Sequence, residues 1–146
     1  FLMKTSSWSI WVSLSILLLG SGLGQDGTPS SMIPPGDSAD GETVFLEQRC
    51  YRCHTLEGRE LPDFDLPAKL KIHLGGDAHT LWDRDEFGRA ILNPDHVVSP
   101  QYQAIMIEGG DQKGSQESPM PNFNAILSIS DLIDLATFLD SMRKGG

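Results

Sequence analysis

The hydrophobic pattern divides the chain into a leader, a spacer and a set of short amphipathic segments. Trp8 to Leu19 is an apolar run broken only by serines, preceded by Lys4 and followed by the small residues Ser21-Gly22-Leu23-Gly24. A short positive start, an apolar stretch and a small-residue cleavage site make a signal peptide. Residues 1–24 are therefore expected to be removed on export, with cleavage after Gly24, or retained as a membrane anchor. The run is shorter than the roughly 20 residues a membrane span needs, which favours cleavage. No Cys follows it, so a lipid-anchored form is not expected. Phe1 is not a normal start, so either Met3 initiates the chain or upstream sequence is missing. Residues 25–39, rich in Gly, Ser and Pro, read as a flexible linker, with a single folded domain over 40–144.

Within that domain the helical period recurs. Val44, Phe45 and Leu46 sit among Glu42, Glu47 and Gln48, predicting a helix over Asp40–Gln48 capped by Ser38 or Asp40. Gly41 and Phe45 lie four apart on one face, where a glycine lets another helix approach closely. Residues 55–80 show no sustained period. Pro62, Pro67 and Gly75-Gly76 break them into loop, with one helical turn expected at Ala68–His73. A second helix is predicted from Trp82 or Asp83 to Leu92, stopped by Asn93-Pro94. A third should start at Ser99-Pro100, with Ser as cap and Pro in the first turn, and run to Glu108 before Gly109-Gly110. A polar loop follows, Asp111 to Ser118. The last helix has the clearest period: Leu132, Leu135, Ala136 and Leu139, widened by Ile133 and Phe138, after a capping box of Ser128 and Asp131. Nothing reads as a substantial sheet, so the fold class is all-α.

Charge narrows the partners. The formal net charge is −9, from 20 acidic and 11 basic residues. Nucleic acid, whose phosphates require Lys and Arg, is excluded as a partner. An acidic surface suits a docking partner with a basic patch, although most such surfaces serve only solubility.

The chemistry concentrates at Cys50-Tyr51-Arg52-Cys53-His54, which contains the only two cysteines. C-x-x-C-H is the pattern of covalent c-type haem attachment. Each thiol can form a thioether to one haem vinyl group, and the next side chain, His54, then lies under the macrocycle as proximal ligand to iron. Three other readings compete. A disulfide would close a very small loop and stabilise little. A thioredoxin-like pair needs a preceding strand and a parallel α/β setting, which are not visible. A zinc site completed by His73 and His79 gives no role to a His placed directly after the second Cys.

These features together resemble the small class I monohaem c-type cytochromes, over roughly Asp40 to Met142. The resemblance implies four to five helices wrapped around one covalent haem c, with the N- and C-terminal helices crossed. Gly41 and Phe45 would meet Leu135 and Phe138 there. Phe45 lies one residue further from the first Cys than is usual, so Leu46 is the alternative occupant of the crossing. Ser118-Pro119-Met120-Pro121-Asn122-Phe123 resembles the bacterial Met-Pro-x-Phe loop that carries the sixth ligand, and its prolines would help hold a weak thioether on iron. Met106, in the apolar setting Ile105-Met106-Ile107, is the rival, and His73, His79 or His96 would make a bis-histidine site. Trp82 stands at the spacing of a tryptophan that bonds a haem propionate, with a plain core aromatic as the alternative. Pro62 or Pro67 would supply the carbonyl that fixes the His54 ring. The stretch from Val97 to Ser118 is longer than in short family members, and reads as a docking surface, a lid or a tolerated insertion.

The resemblance implies an exported, periplasmic carrier of single electrons rather than an enzyme. Its partners would be redox proteins, a dehydrogenase donor and an oxidase or other acceptor, with membrane contact only if the leader is retained. The alternatives are a haem-bearing subunit of a dehydrogenase or other oxidoreductase complex, and a sensor or catalytic haem with a displaceable sixth ligand.

Overall fold

The architecture, a computed structural model, describes residues 31–143 apart from 66, 68, 69, 77, 78 and 80. The leader expected at residues 1–24 and the first part of the linker lie outside the described residues. Four helices are present: α1 (Ser38–Glu47), α2 (Arg84–Leu92), α3 (Pro100–Glu108) and α4 (Ile129–Ser141). Two three-residue strands, β1 (His54–Leu56) and β2 (Ile72–Leu74), pair in parallel with His54 opposite Ile72 and Leu56 opposite Leu74. The helical turn expected at Ala68–His73 is thus replaced, in its last two residues, by strand. Local sequence could not announce this, because the pairing partner lies across the long connection that parallel strands require. Among the described residues no helix is long and apolar enough to cross a membrane.

The frame is the crossing of α1 and α4. Asp37, not Ser38 or Asp40, caps α1, its carboxylate accepting from the amides of Ala39 at 2.8 Å and Asp40 at 3.2 Å. Gly41 is buried at the crossing, where an added Cβ would overlap the Asp134 carbonyl and come within 2.7 Å of the Phe138 Cβ. Below it, the rings of Phe45 and Phe138 meet edge to face at 5.9 Å, each 1 % exposed. Leu46 is 38 % exposed, so the aromatic keeps the crossing despite its unusual distance from Cys50. Leu135, Ala136 and Leu139 of α4 join Phe87 and Ile91 of α2 in the same core. The capping box of α4 forms in full, Ser128 accepting from the Asp131 amide and Asp131 from the Ser128 amide.

The segment ahead of α1 departs from the expected flexible linker. The Asp85 carboxylate accepts from the Ser31 hydroxyl at 2.7 Å and from the amides of Met32 and Ile33 at 2.8 Å each. Arg84 donates to the Ile33 carbonyl, and the Gly36 amide donates to Thr137 of α4. Residues 31–36 form a strap that joins α2 to α4, and the folded unit begins at least nine residues before the boundary at 40 that composition suggested. Gly, Ser and Pro mark a chain without a core of its own; they do not reveal carboxylates placed by other helices.

Candidate functional site

The haem motif follows directly from the end of α1. Arg49 takes a left-handed conformation at φ 56°, which ends the helix and turns the chain into a short 3₁₀ segment, Cys50–Arg52. The Cys53 amide bonds the Cys50 carbonyl at 3.2 Å, so the two thiols stand one turn apart. They are not joined to each other: Cys50 is half-buried and Cys53 exposed. Burial pushes the Cys50 thiol up to about 11, the neighbouring Cys53 adding to the effect against a backbone hydrogen bond.

His54 enters β1 and is anchored by the pairing with Ile72. Its Nδ1 is buried without a hydrogen-bond partner. Burial pushes the imidazole down to about 4, although the Ile72 backbone carbonyl favours its protonated form. Ile72 stands opposite His54 through the parallel register, a proximity that the loop sequence concealed. A neutral buried imidazole with an unmet polar atom suits a metal ligand.

A cavity of about 860 Å³ opens over the motif. Cys50, Cys53, His54, Trp82 and Met120 all line it, so the five residues singled out in the sequence share one wall system. This volume lies within the range typical of cofactor sites. A void of about 30 Å³ deeper in the core also touches Cys50, His54 and Met120. Met120 is positioned by its loop: the Ser118 amide donates to Asp95, the Met120 amide to Ser118, and Phe123 is buried in the core. Met106 does not line the cavity; its methyl end lies against Gly114 in the polar loop.

The three alternative histidines separate clearly. His73 is bonded to Thr55 at 3.1 Å and Glu57 at 3.0 Å. His96 pairs with Glu86 at 3.9 Å, away from the cavity. His73 and His79 both line the cavity; His79 stacks there, its ring edge-on to Trp82 at 4.7 Å and 5.8 Å from Phe87, with a buried and unpartnered Nδ1. Burial lowers its pKa as well. His79 stands three residues before Trp82, a spacing that brings the two rings together. Among the described residues no three His, Cys, Asp or Glu side chains converge as a metal site.

A sequence profile of the cytochrome c family matches residues 38–143. The chain belongs to the cytochrome c family. Searches of curated proteins and of solved structures returned no match. Membership brings one covalently bound haem c and a haem-based electron-transfer role. The mainly helical fold with crossed terminal helices is that of the class I members. The site fits the group: two cysteines at the edge of a haem-sized cavity and a buried neutral histidine with an unmet nitrogen.

Proposed function

We propose that this cytochrome is a periplasmic carrier of single electrons, in which His54 and Met120 would hold the haem iron, with no substrate chemistry of its own. The observation that supports it best is Met120 on the wall of the cavity that also holds Cys50, Cys53 and His54, while Met106 is turned onto Gly114. When bound, haem c supplies a one-electron Fe(III)/Fe(II) couple. Cys50 and Cys53 would hold the macrocycle through thioethers. His54, kept neutral by burial, offers a ring nitrogen without first losing a proton. Met120 offers a soft thioether that prefers Fe(II) and raises the potential. Trp82, 5.3 Å from the Phe87 ring, lines the cavity, where its indole would serve as a donor to a propionate. The surrounding Phe, Leu and Ile side chains limit water, so little rearranges between oxidation states. Export is supported by the apolar run at Trp8–Leu19 and by the location of haem attachment outside the bacterial cytoplasm.

The ligand assignment is tested by optical spectroscopy of the haem-loaded protein. The ferric form should show the weak sulfur-to-iron band, and the ferrous form should resist carbon monoxide. Met120→Ala should abolish the band and admit carbon monoxide; Met106→Ala should do neither. Rapid carbon monoxide binding by the unmutated protein would instead favour a sensor or catalytic haem.

A further inference from the structure

The stretch that lengthens this chain between Asn93-Pro94 and Met120 leaves the cavity wall and returns to it. Val97, Val98 and Tyr102 line the cavity on the way out; Ser118 and Pro119, the two residues before Met120, line it on the way back. Between these ends the segment folds largely onto itself. Helix α3 packs on the Gly114–Gln116 turn, the Asp111 amide donates to the Met106 carbonyl at 2.9 Å, and the Gly114 amide donates to the Asp111 carboxylate at 2.8 Å. No residue of α3 is buried. The two ends are joined at a neck, where the Ser118 amide donates to the Asp95 carboxylate at 2.7 Å across 23 residues of chain. Asp95 belongs to the 3₁₀ turn Pro94–His96, which packs on α2 and so gives the neck a fixed base. The same Ser118 uses its hydroxyl to accept from the Met120 amide at 3.2 Å.

Closing a loop costs chain entropy that grows with its length, so the two ends drift apart unless something holds them. An amide donated to a carboxylate is a charge-assisted bond, stronger than one between neutral groups. Pro119 and Pro121 fix φ on either side of Met120, so the freedom left to its thioether depends on where Ser118 is held. We propose that Asp95 is a positioning residue for the sixth ligand: it fastens the neck of the inserted segment, and Ser118 passes that constraint to Met120. Motion of α3 that pulls the neck open then loosens Met120 with it. The inserted segment thereby sets how readily the iron exchanges that ligand. The proposal rests on the reading of Met120 as a ligand given above.

The test uses the haem-loaded full chain. Asp95→Ala should weaken the sulfur-to-iron band and raise the rate of carbon monoxide binding by the ferrous form about tenfold, the size expected on losing one hydrogen bond to a charged group. Hydrogen exchange at the Ser118 amide, read by NMR, should quicken in the same variant. Asp95→Asn removes the charge but keeps an oxygen that can accept from Ser118, and should restore most of the band. Ser118→Ala keeps the neck bond, which uses the backbone, and loses only the hydroxyl; it should raise the carbon monoxide rate while the amide at 118 stays protected. Asp111→Ala removes a carboxylate inside the inserted segment and should leave band and rate unchanged. The proposal is overturned if Asp95→Ala matches the unmutated protein in band and rate, if Asp111→Ala has the same effect as Asp95→Ala, or if Ser118→Ala leaves the rate unchanged. The Ser118→Ala result decides alone if Asp95→Ala fails to accumulate with haem. An unmutated protein without the sulfur band would overturn the ligand assignment itself, whatever Asp95 does.

Discussion

Helices α4 and α3 both form where the sequence places a helix, yet they play unlike parts. In α4, Leu135, Ala136, Phe138 and Leu139 are all buried, and Gly36 and Gly41 bring the strap and α1 against its backbone. In α3 no residue is buried; Tyr102, Ile105 and Met106 are half-covered and Ile107 is 51 % exposed. Ser99, its expected cap, makes no side-chain capping bond. The first turn of α3 meets the cavity through Pro100, Gln101 and Tyr102, and its far end packs on the Gly114–Gln116 turn. One helix supports the fold. The other lies beside the site with little holding it down, as expected of a segment whose opening free energy is low.

That contrast can be broken from either side, and the largest effect belongs to the crossing. Phe138→Ala removes the ring that fills the space beside Phe45, and should cost about 3–5 kcal/mol in denaturant unfolding of the haem-loaded protein. Gly41→Val drives a branched side chain into the Asp134 carbonyl and should cost about 1–3 kcal/mol or more, read as a lowered thermal midpoint. Unchanged melting of either variant would mean that α1 and α4 do not carry the fold.

The strap gives a prediction that depends on pH. Hydrogen bonds from the Met32 amide, the Ser31 hydroxyl and the Ile33 amide hold the Asp85 carboxyl below its ordinary value. A depressed carboxyl contributes stability in full above the ordinary Asp value of about 3.9, and loses it as pH falls through the lower folded value. Protection of the Met32 and Ile33 amides from hydrogen exchange should therefore persist at neutral pH and vanish in acid, ahead of the α1–α4 core. Asp85→Asn should lower that protection at neutral pH and remove its acid dependence.

The smallest effect is expected in α3. Ile107→Ser exchanges a half-exposed side chain on a helix without a buried face, and should change stability by less than about 0.5 kcal/mol. A larger loss would show that α3 packs more tightly than its exposure indicates, and would remove the contrast with α4.

Much of this protein was determined by local sequence. C-x-x-C-H marks the attachment point because thioether and axial chemistry require fixed spacing along the chain. The helix boundaries follow from caps, prolines and glycines that act within one turn, as Asp83, Pro94, Gly109 and the Ser128–Asp131 box demonstrate. Period and spacing, however, do not say what faces a residue. Only the tertiary structure decided that Ile72 lies opposite His54, because the parallel register joins residues eighteen apart in sequence. It alone brought Met120 and not Met106 to the cavity, and tied the Gly- and Pro-rich strap down through Asp85. It also decided which arginines find carboxylates, as Arg59 does with Glu42 at 3.0 Å, a pairing that a formal sum of −9 does not record.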